Sequence, residues 1–426
     1  MEAAILIIFV VGYLLIALEH NVDINKTASA LITGVLCWTV YVFYNDPHEV
    51  THQLLEQLGE ISGILFFLMG AMTIVELIDA HDGFEIINSR ITTRSRKKLL
   101  WIISLLTFFL SAILDNLTTT IVMVTLVIKL VRNQKARMMF VGMIVLAANA
   151  GGAWSPIGDI TTTMLWIGGQ ISTNTIVTEL IGPSLVSLLV PLTLVSFMIG
   201  GVLERGEIGE ARDHSVKASE TEQRTVFTLG LLALLSVPAF KMLTQLPPFM
   251  GMLLGLGVLW LITELMHRGK NPEQKQRLSV IRALERMDVP SVLFFLGILL
   301  AVGVLQNTGQ LASLATWLTE TLRQEELILT MIGVLSAVVD NVPLVAATMG
   351  MYSLEVYPMD SSFWILLAFC AGTGGSLLII GSAAGVAAMG IEKIPFGWYL
   401  KHVTWLALLG YLAGVASFLL QKWMVH

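Results

Sequence analysis

Two short motifs put a carboxylate where apolar sequence would otherwise run on. Asp115-Asn116 interrupts the apolar stretch 99–131, and Asp340-Asn341 interrupts the stretch 326–354. An acidic residue at the centre of one long membrane span is expensive. Two half-helices meeting at a polar tip avoid that cost, because the tip is buried in protein or faces water. The pattern therefore predicts a re-entrant hairpin at each stretch. Asp or Asn suits the N-cap of a half-helix, and Pro343 suits its first turn. Capping alone needs no carboxylate at membrane depth, and two symmetric ones point to proton or cation chemistry.

A second supply of ligands lies in Asn149-Ala150-Gly151-Gly152-Ala153-Trp154-Ser155-Pro156-Ile157-Gly158-Asp159, followed by Thr161, Thr162 and Thr163, all inside the apolar run 138–168. The glycines and Pro156 break a helix and free backbone carbonyls. Asn149, Ser155, Asp159, Thr161 and Thr162 add side-chain oxygens. Hard oxygen ligands of this kind suit Na⁺ or Li⁺. The counterpart in the second half is Gly372-Thr373-Gly374-Gly375-Ser376, then Gly381-Ser382 and Gly385. It carries no acid. Ser376 and Ser382 fit a cation site, and the small residues equally fit close helix packing. It lacks the Gly-Lys-Ser/Thr ending of a phosphate loop. Glu76 is a candidate acid on a proton path. Glu19, His20 and Asp23 read as solvated loop residues. No His/Cys group has metal-ligand spacing, and no cofactor is expected beyond the ions themselves.

The elements that must position these residues follow from composition. The chain has 426 residues, 55% hydrophobic and 13% charged, with a mean hydropathy of +0.78. Soluble domains carry roughly 25% charged residues. A polytopic membrane protein in a lipid bilayer is implied. Soluble enzymes, nucleic-acid binders and disordered proteins are excluded. Cys37 and Cys370 both lie in apolar runs and imply no disulfide framework. Full spans of ~20 apolar residues are expected near 3–18, 27–44, 61–79, 138–168, 177–203, 225–241, 248–265, 289–305, 362–391 and 402–424. The first is read as a span because it lacks the basic flank of a signal peptide.

Loop charge orients them. Arg90, Arg94, Arg96, Lys97, Lys98, Lys129, Arg132, Lys135 and Arg137 flank the first hairpin, which therefore enters from the cytoplasm. Glu320, Glu325, Glu326, Glu355 and Asp360 flank the second, which enters from outside. The 45–60 loop is acidic and outside, and 266–288 is basic and inside. Both termini then lie on the outer side.

The halves also repeat. Leu65-Phe66-Phe67-Leu68 recurs as Leu293-Phe294-Phe295-Leu296, Ser111 to Asn116 as Ser336 to Asn341, and Gly151-Gly152 with Gly158 as Gly374-Gly375 with Gly381. Each copy has five spans and one hairpin, an odd number of crossings. The fold class is thus an all-α polytopic protein of two inverted repeats, 1–203 and 225–426, joined by a charged linker at 204–224.

The sequence resembles the NhaD-type sodium/proton antiporters of the ion transporter superfamily. The likeness runs through Ala17-Leu18-Glu19-His20, the stretch Gly63 to Met72, Leu114 to Thr120, Trp154 to Asp159, and Val339 to Pro343. It implies two inverted repeats, each with a hairpin facing a broken helix, a homodimer, and a transport domain that slides against a scaffold. It places Asp115, Asn116, Asn149, Asp159, Thr161, Thr162, Asp340, Asn341 and Ser376 at functional positions. Members sit in bacterial inner membranes and chloroplast envelopes, and the bacterial inner membrane is the expected setting here.

The expected activity is exchange of Na⁺ or Li⁺ for H⁺, with no enzymatic step. Asp115, Asp340 and Asp159 would exchange the ions. Asn116, Asn149, Ser155, Thr161, Thr162, Asn341, Ser376 and Ser382 would supply neutral ligands. A carboxylate in water is protonated only below a pH of ~4. Burial or a neighbouring carboxylate brings proton and cation into competition near neutrality. A sodium-coupled carboxylate or oxyanion transporter on the same scaffold is the nearest alternative, and acidic tips would repel such cargo. An intramembrane aspartyl protease is more distant, since neither Tyr-Asp nor Gly-x-Gly-Asp surrounds these acids.

Overall fold

The computed structural model describes all residues except 18–23, 89, 90, 92, 94, 202–217, 339 and 426, together with the side chains of 87, 88, 129 and 425. Glu19, His20, Asp23, Arg90, Arg94 and most of the 204–224 linker lie outside the described residues. The described chain is all-helical, and eight of its helices are long and apolar enough to cross a membrane. Glu2–Ala17, Lys26–Val42, Thr173–Met198, Glu220–Thr244, Pro248–Met266, Val289–Asn307 and Thr404–Val425 fall on the expected apolar runs.

Two elements differ from expectation. The acidic segment 45–60 is helical rather than a loop: Pro47–Ala80 starts well before the apolar run near 61. Asp46 caps it, accepting from the backbone N–H of His48 at 2.8 Å and Glu49 at 3.3 Å, with Pro47 in the first turn. Apolarity marks only the part of a helix that meets lipid, so a capped polar extension escapes it. The amphipathic helix Gln310–Leu322 is too short to span and leaves no span signal for the same reason.

Each interrupted stretch is a pair of helices. Arg96–Leu114 meets Asn116–Leu130 at Asp115, whose φ of 81° turns the chain. With a ψ of 160°, this is a backbone conformation that few residues other than glycine adopt. Glu325–Leu335 and Asn341–Met351 form the second pair. The Gly-rich stretches break as Gln134–Ala153 with Ile160–Ile167, and as Ser362–Gly374 with Ala383–Glu392.

Glycine lets each hairpin touch its broken helix backbone to backbone. A Cβ on Gly151 would collide with the Phe108 carbonyl, and one on Gly374 with the Gly333 carbonyl. Ser111 Oγ donates to the Ala148 carbonyl at 2.6 Å, and Ser336 Oγ to the Ala371 carbonyl at 3.3 Å. The halves then interlock. Asn116–Leu130 packs on Ala383–Glu392, and Asn341–Met351 packs on Ile160–Ile167. The Arg137 Nε donates to both oxygens of buried Glu392 at 2.7 Å, tying the start of one broken helix to the end of the other. A second layer is built from Lys26–Val42 against Val289–Asn307, and a third from Thr173–Met198 against Thr404–Val425.

At the ends of Pro47–Ala80 and Pro248–Met266, His81 and His267 stack with Nε2 atoms 3.2 Å apart. His81 Nδ1 lies 2.7 Å from the Leu77 carbonyl and donates to it. Its Nε2 is then the acceptor, and His267 is the donor. Both rings are neutral in this arrangement. Burial, against the help of the Leu77 carbonyl, pushes His81 down to about 4, and burial also pushes His267 down.

This packing is open to two stability measurements. Gly151→Ala and Gly374→Ala should each destabilise the protein by about 1–3 kcal/mol, the usual cost of overpacking. Thermal unfolding in detergent checks this, and unchanged midpoints would contradict the contact. A His with a lowered folded pKa stabilises the fold above its unfolded value of ~6.5. That stability is lost as pH falls toward about 4, the folded value for His81. The unfolding midpoint should therefore drop across this window in the wild type and drop less in His81→Gln.

Candidate cation site

Four helix N-termini among the described residues end in the middle of the bundle on a polar side chain. Asp115 caps Asn116–Leu130, Asp159 caps Ile160–Ile167, Asp340 caps Asn341–Met351, and Ser382 caps Ala383–Glu392. A helix N-terminus carries roughly half a positive charge and free N–H donors. It is one of the few places where a buried carboxylate is tolerable.

Asp159 is the most enclosed of the three acids, with 2% of its surface exposed. Its Oδ1 accepts from the Thr161 N–H at 2.8 Å and the Thr161 hydroxyl at 2.6 Å. Its Oδ2 accepts from the Asn116 amide. The hydroxyls of Thr162 and Thr163 donate to the Asp159 carbonyl at 2.8 and 2.9 Å. Asn116 also donates to Asn149 Oδ1 at 3.0 Å. Asn149, fully buried, donates to Ser376 Oγ at 2.8 Å and Ser382 Oγ at 2.9 Å. One continuous chain of hydrogen bonds thus runs from the first hairpin tip through the first broken helix to the second.

Asp115 stands beside this chain. It accepts from the Thr118 N–H at 2.7 Å and the Thr118 hydroxyl at 2.9 Å. A void of about 30 Å³ is lined by Asp115, Asp159 and Thr163 among otherwise apolar side chains. That is the volume of about one water molecule. Thr118 faces the other way as well. It lines a cavity of about 480 Å³ with Lys26, Glu76, Arg286 and Ser291, and a smaller one of about 140 Å³ with Glu76, Asp79, Asp82 and Glu85. Glu76 borders both cavities.

The second tip is built differently. Asp340 Oδ1 accepts from the Val342 N–H at 3.2 Å, but its Oδ2 lies 3.0 Å from the Lys26 ammonium. Asp159 is within electrostatic reach of both Asp115 and Asp340. No three acids among the described residues gather closely enough to hold one metal ion together. The arrangement is two acids and a third with its own counter-ion. Asn341 is buried at the second tip. Ser155 serves local packing, where its hydroxyl donates to the Ala112 carbonyl at 2.5 Å and fixes the broken helix to the hairpin.

Lys26 and Thr118 are the site residues that motif chemistry does not single out. The run Thr118-Thr119-Thr120 is visible after the tip, and the hydroxyls of Thr119 and Thr120 are buried without a hydrogen-bond partner. Nothing in the sequence joins residue 26 to residue 340.

A family profile described as a citrate transporter matches residues 13–361. Sodium/proton antiporter 1 of Arabidopsis thaliana is 51% identical, over 98% of this chain and 72% of its own length. Sodium/proton antiporter 2 of the same plant is 48% identical, over 97% and 98%. The Na⁺/H⁺ antiporter NhaD of Alkalimonas amylolytica is 32% identical, over 96% and 88%.

Asn149 and Ser155 separate network from strut. Asn149→Ala removes three buried bonds, at about 1 kcal/mol each, although Asn116 keeps Asp159 and Ser382 keeps the Gly385 N–H. Ser155→Ala removes one short bond, to the Ala112 carbonyl, and a long one of 3.4 Å from the Ile157 N–H, together worth about 1 kcal/mol. Thermal unfolding should rank Asn149→Ala clearly below Ser155→Ala, and the reverse order would mean the network is misassigned.

Proposed function

The chain belongs to the NhaD-type sodium/proton antiporters within the citrate-transporter family, and on that premise we propose that it exchanges Na⁺ or Li⁺ for H⁺ by direct competition at the buried carboxylates. The observation that carries this reading is the pair Asp115 and Asp159 on one void of about 30 Å³. Such a void admits one dehydrated monovalent ion. A carboxylate there can be neutralised by a proton or by a metal cation, and by one of them at a time. Thr161 and Asn116 hold Asp159, and Thr118 holds Asp115. Asn149, Ser376 and Ser382 fix the orientation of Asn116, and Thr162 ties down the Asp159 backbone. At the second tip stand Asp340, facing Lys26, and the buried neutral amide of Asn341. Glu76 lies on the proton path, since it borders both cavities that reach Thr118.

We read the halves as inverted repeats, with the two hairpins re-entrant from opposite faces. The paired breaks and the matching contacts of Gly151 and Gly374 support this reading. The larger cavity opens beside Arg286 and Ser291, next to the basic segment 266–288, so the conformation is inward-open. The bilayer is taken as a bacterial inner membrane by analogy with the NhaD relative, with both termini outside, and plant relatives offer a second setting. A homodimer is carried over from the family resemblance.

The family description favours one rival, a citrate-type carboxylate carrier. Its anionic cargo would have to approach Asp115 and Asp159, which like-charge repulsion opposes.

In everted vesicles, Na⁺ should release protons trapped by respiration, and citrate or succinate should not. Asp159→Asn and Asp115→Asn should each reduce Na⁺-dependent proton movement by about two orders of magnitude or more, as expected when a buried ligand charge is lost. Full activity in both would falsify the assignment. Raising pH should lower the apparent KM for Na⁺, by up to about tenfold per unit while protons still occupy the site. A flat profile between pH ~7 and ~9 argues against direct competition.

A further inference from the structure

The two tips match in sequence and differ in charge. Asp115 and Asp159 are held by backbone N–H, hydroxyl and amide donors, whereas Asp340 faces an ammonium. Lys26 opens the helix Lys26–Val42, where a positive charge opposes the helix dipole. Its place therefore does nothing for that helix. The backbone around it is fixed from both sides. Asn25 Oδ1 accepts from the Thr27 N–H at 2.8 Å, and the Thr27 hydroxyl donates to the Pro290 carbonyl at 2.9 Å. The ammonium lies 4.5 Å from the Phe294 ring centre, on the second helix of the same layer, a favourable contact for a cation. The side chain lines the cavity of about 480 Å³ that reaches Thr118. About a quarter of it is exposed, so an ion arriving from that cavity meets it.

We propose that Lys26 is a tethered, untransported cation that occupies the Asp340 carboxylate, so that in this conformation the transported Na⁺ is held on the Asp115 and Asp159 side of the site alone. This deepens the exchange reading above and rests on it. The physical content is simple. An ammonium and Na⁺ carry the same charge and seek the same oxygen. With Lys26 at 3.0 Å, Asp340 already has its counter-ion, and a Na⁺ there would have to displace a charge that cannot leave. Lys26 is thus a determinant of how many ions the site takes, and Asp340 is its partner.

The test is equilibrium binding of radioactive Na⁺ to purified full-length protein, with exchange measured on the same preparations in proteoliposomes. The variants are K26R, K26M and K26M/D340N. K26R keeps the charge and should bind Na⁺ within about threefold of wild type. K26M frees the Asp340 carboxylate. It should bind a second Na⁺, or the same one at least about tenfold more tightly, as removal of a unit charge at contact distance allows. K26M/D340N has neither charge and should return to wild-type Na⁺ stoichiometry. Unchanged Na⁺ binding in K26M would overturn the proposal. So would loss of Na⁺ binding in folded K26M/D340N, because Asp340 would then be an ion ligand itself. Should K26M fail to fold, K26Q, which also leaves Asp340 without the ammonium, takes its place, with its unfolding midpoint as the check on folding. A strut of structural value only would change that midpoint and leave Na⁺ stoichiometry alone in every variant. Failure of the exchange reading shows elsewhere, as Na⁺-dependent proton movement that survives Asp159→Asn.

Discussion

The structure depends on holding carboxylates away from bulk water without neutralising all of them permanently. An isolated buried carboxylate costs several kcal/mol even after relaxation. Here helix ends offset part of that cost. Asp115, Asp159 and Asp340 each sit at the N-terminus of a half-helix and accept that helix's own free N–H. The two broken helices and the two split hairpins follow from this. A continuous helix presents no free N–H groups at its middle, so a membrane-depth anion site built from helices needs interrupted ones.

Interrupted helices then have to be held together by something other than their own hydrogen bonds. Glycine contacts between backbone segments and the Ser111 and Ser336 bonds do this inside each half. Across the halves, Asn149 to Ser376 and Ser382, and Arg137 to Glu392, do the same. The hydrogen-bonded unit that carries Asp159 is therefore shared between both halves. Lys26 belongs to a different layer, the pair Lys26–Val42 and Val289–Asn307. Its ion pair with Asp340 crosses from that layer to the second hairpin tip, and any relative motion of the two must stretch or break it.

Much of this is legible in the residues. The apolar runs locate the spans, because lipid contact demands apolar surface over a fixed length. The Asp-Asn and Gly-Gly motifs locate the breaks, because charge and missing Cβ atoms are local properties. Asn116, Asn149, Asp159, Thr161, Ser376 and Ser382, named from motif chemistry, are joined in one network. The start of Pro47–Ala80 is not legible, since a polar helical extension leaves no hydropathy signal. Lys26 is not legible either. Its role depends on a partner 314 residues away, and a lysine at the edge of an apolar run looks like any loop charge. Ser155 looks like a ligand because a hydroxyl beside a Gly/Pro break can be one. Its bond to the Ala112 carbonyl shows that the same chemistry also serves packing.

The relation to a citrate-type family profile raises the question of how one scaffold takes cargo of opposite sign. Helix N-termini converging on a site attract anions when their caps are neutral. Asp at three of those caps inverts the field. Ser382, the remaining cap, keeps the neutral form in the same structure. The acids must nonetheless stay few, since each added carboxylate raises the repulsion felt by the others. A lysine against one of them, as Lys26 stands against Asp340, limits that repulsion.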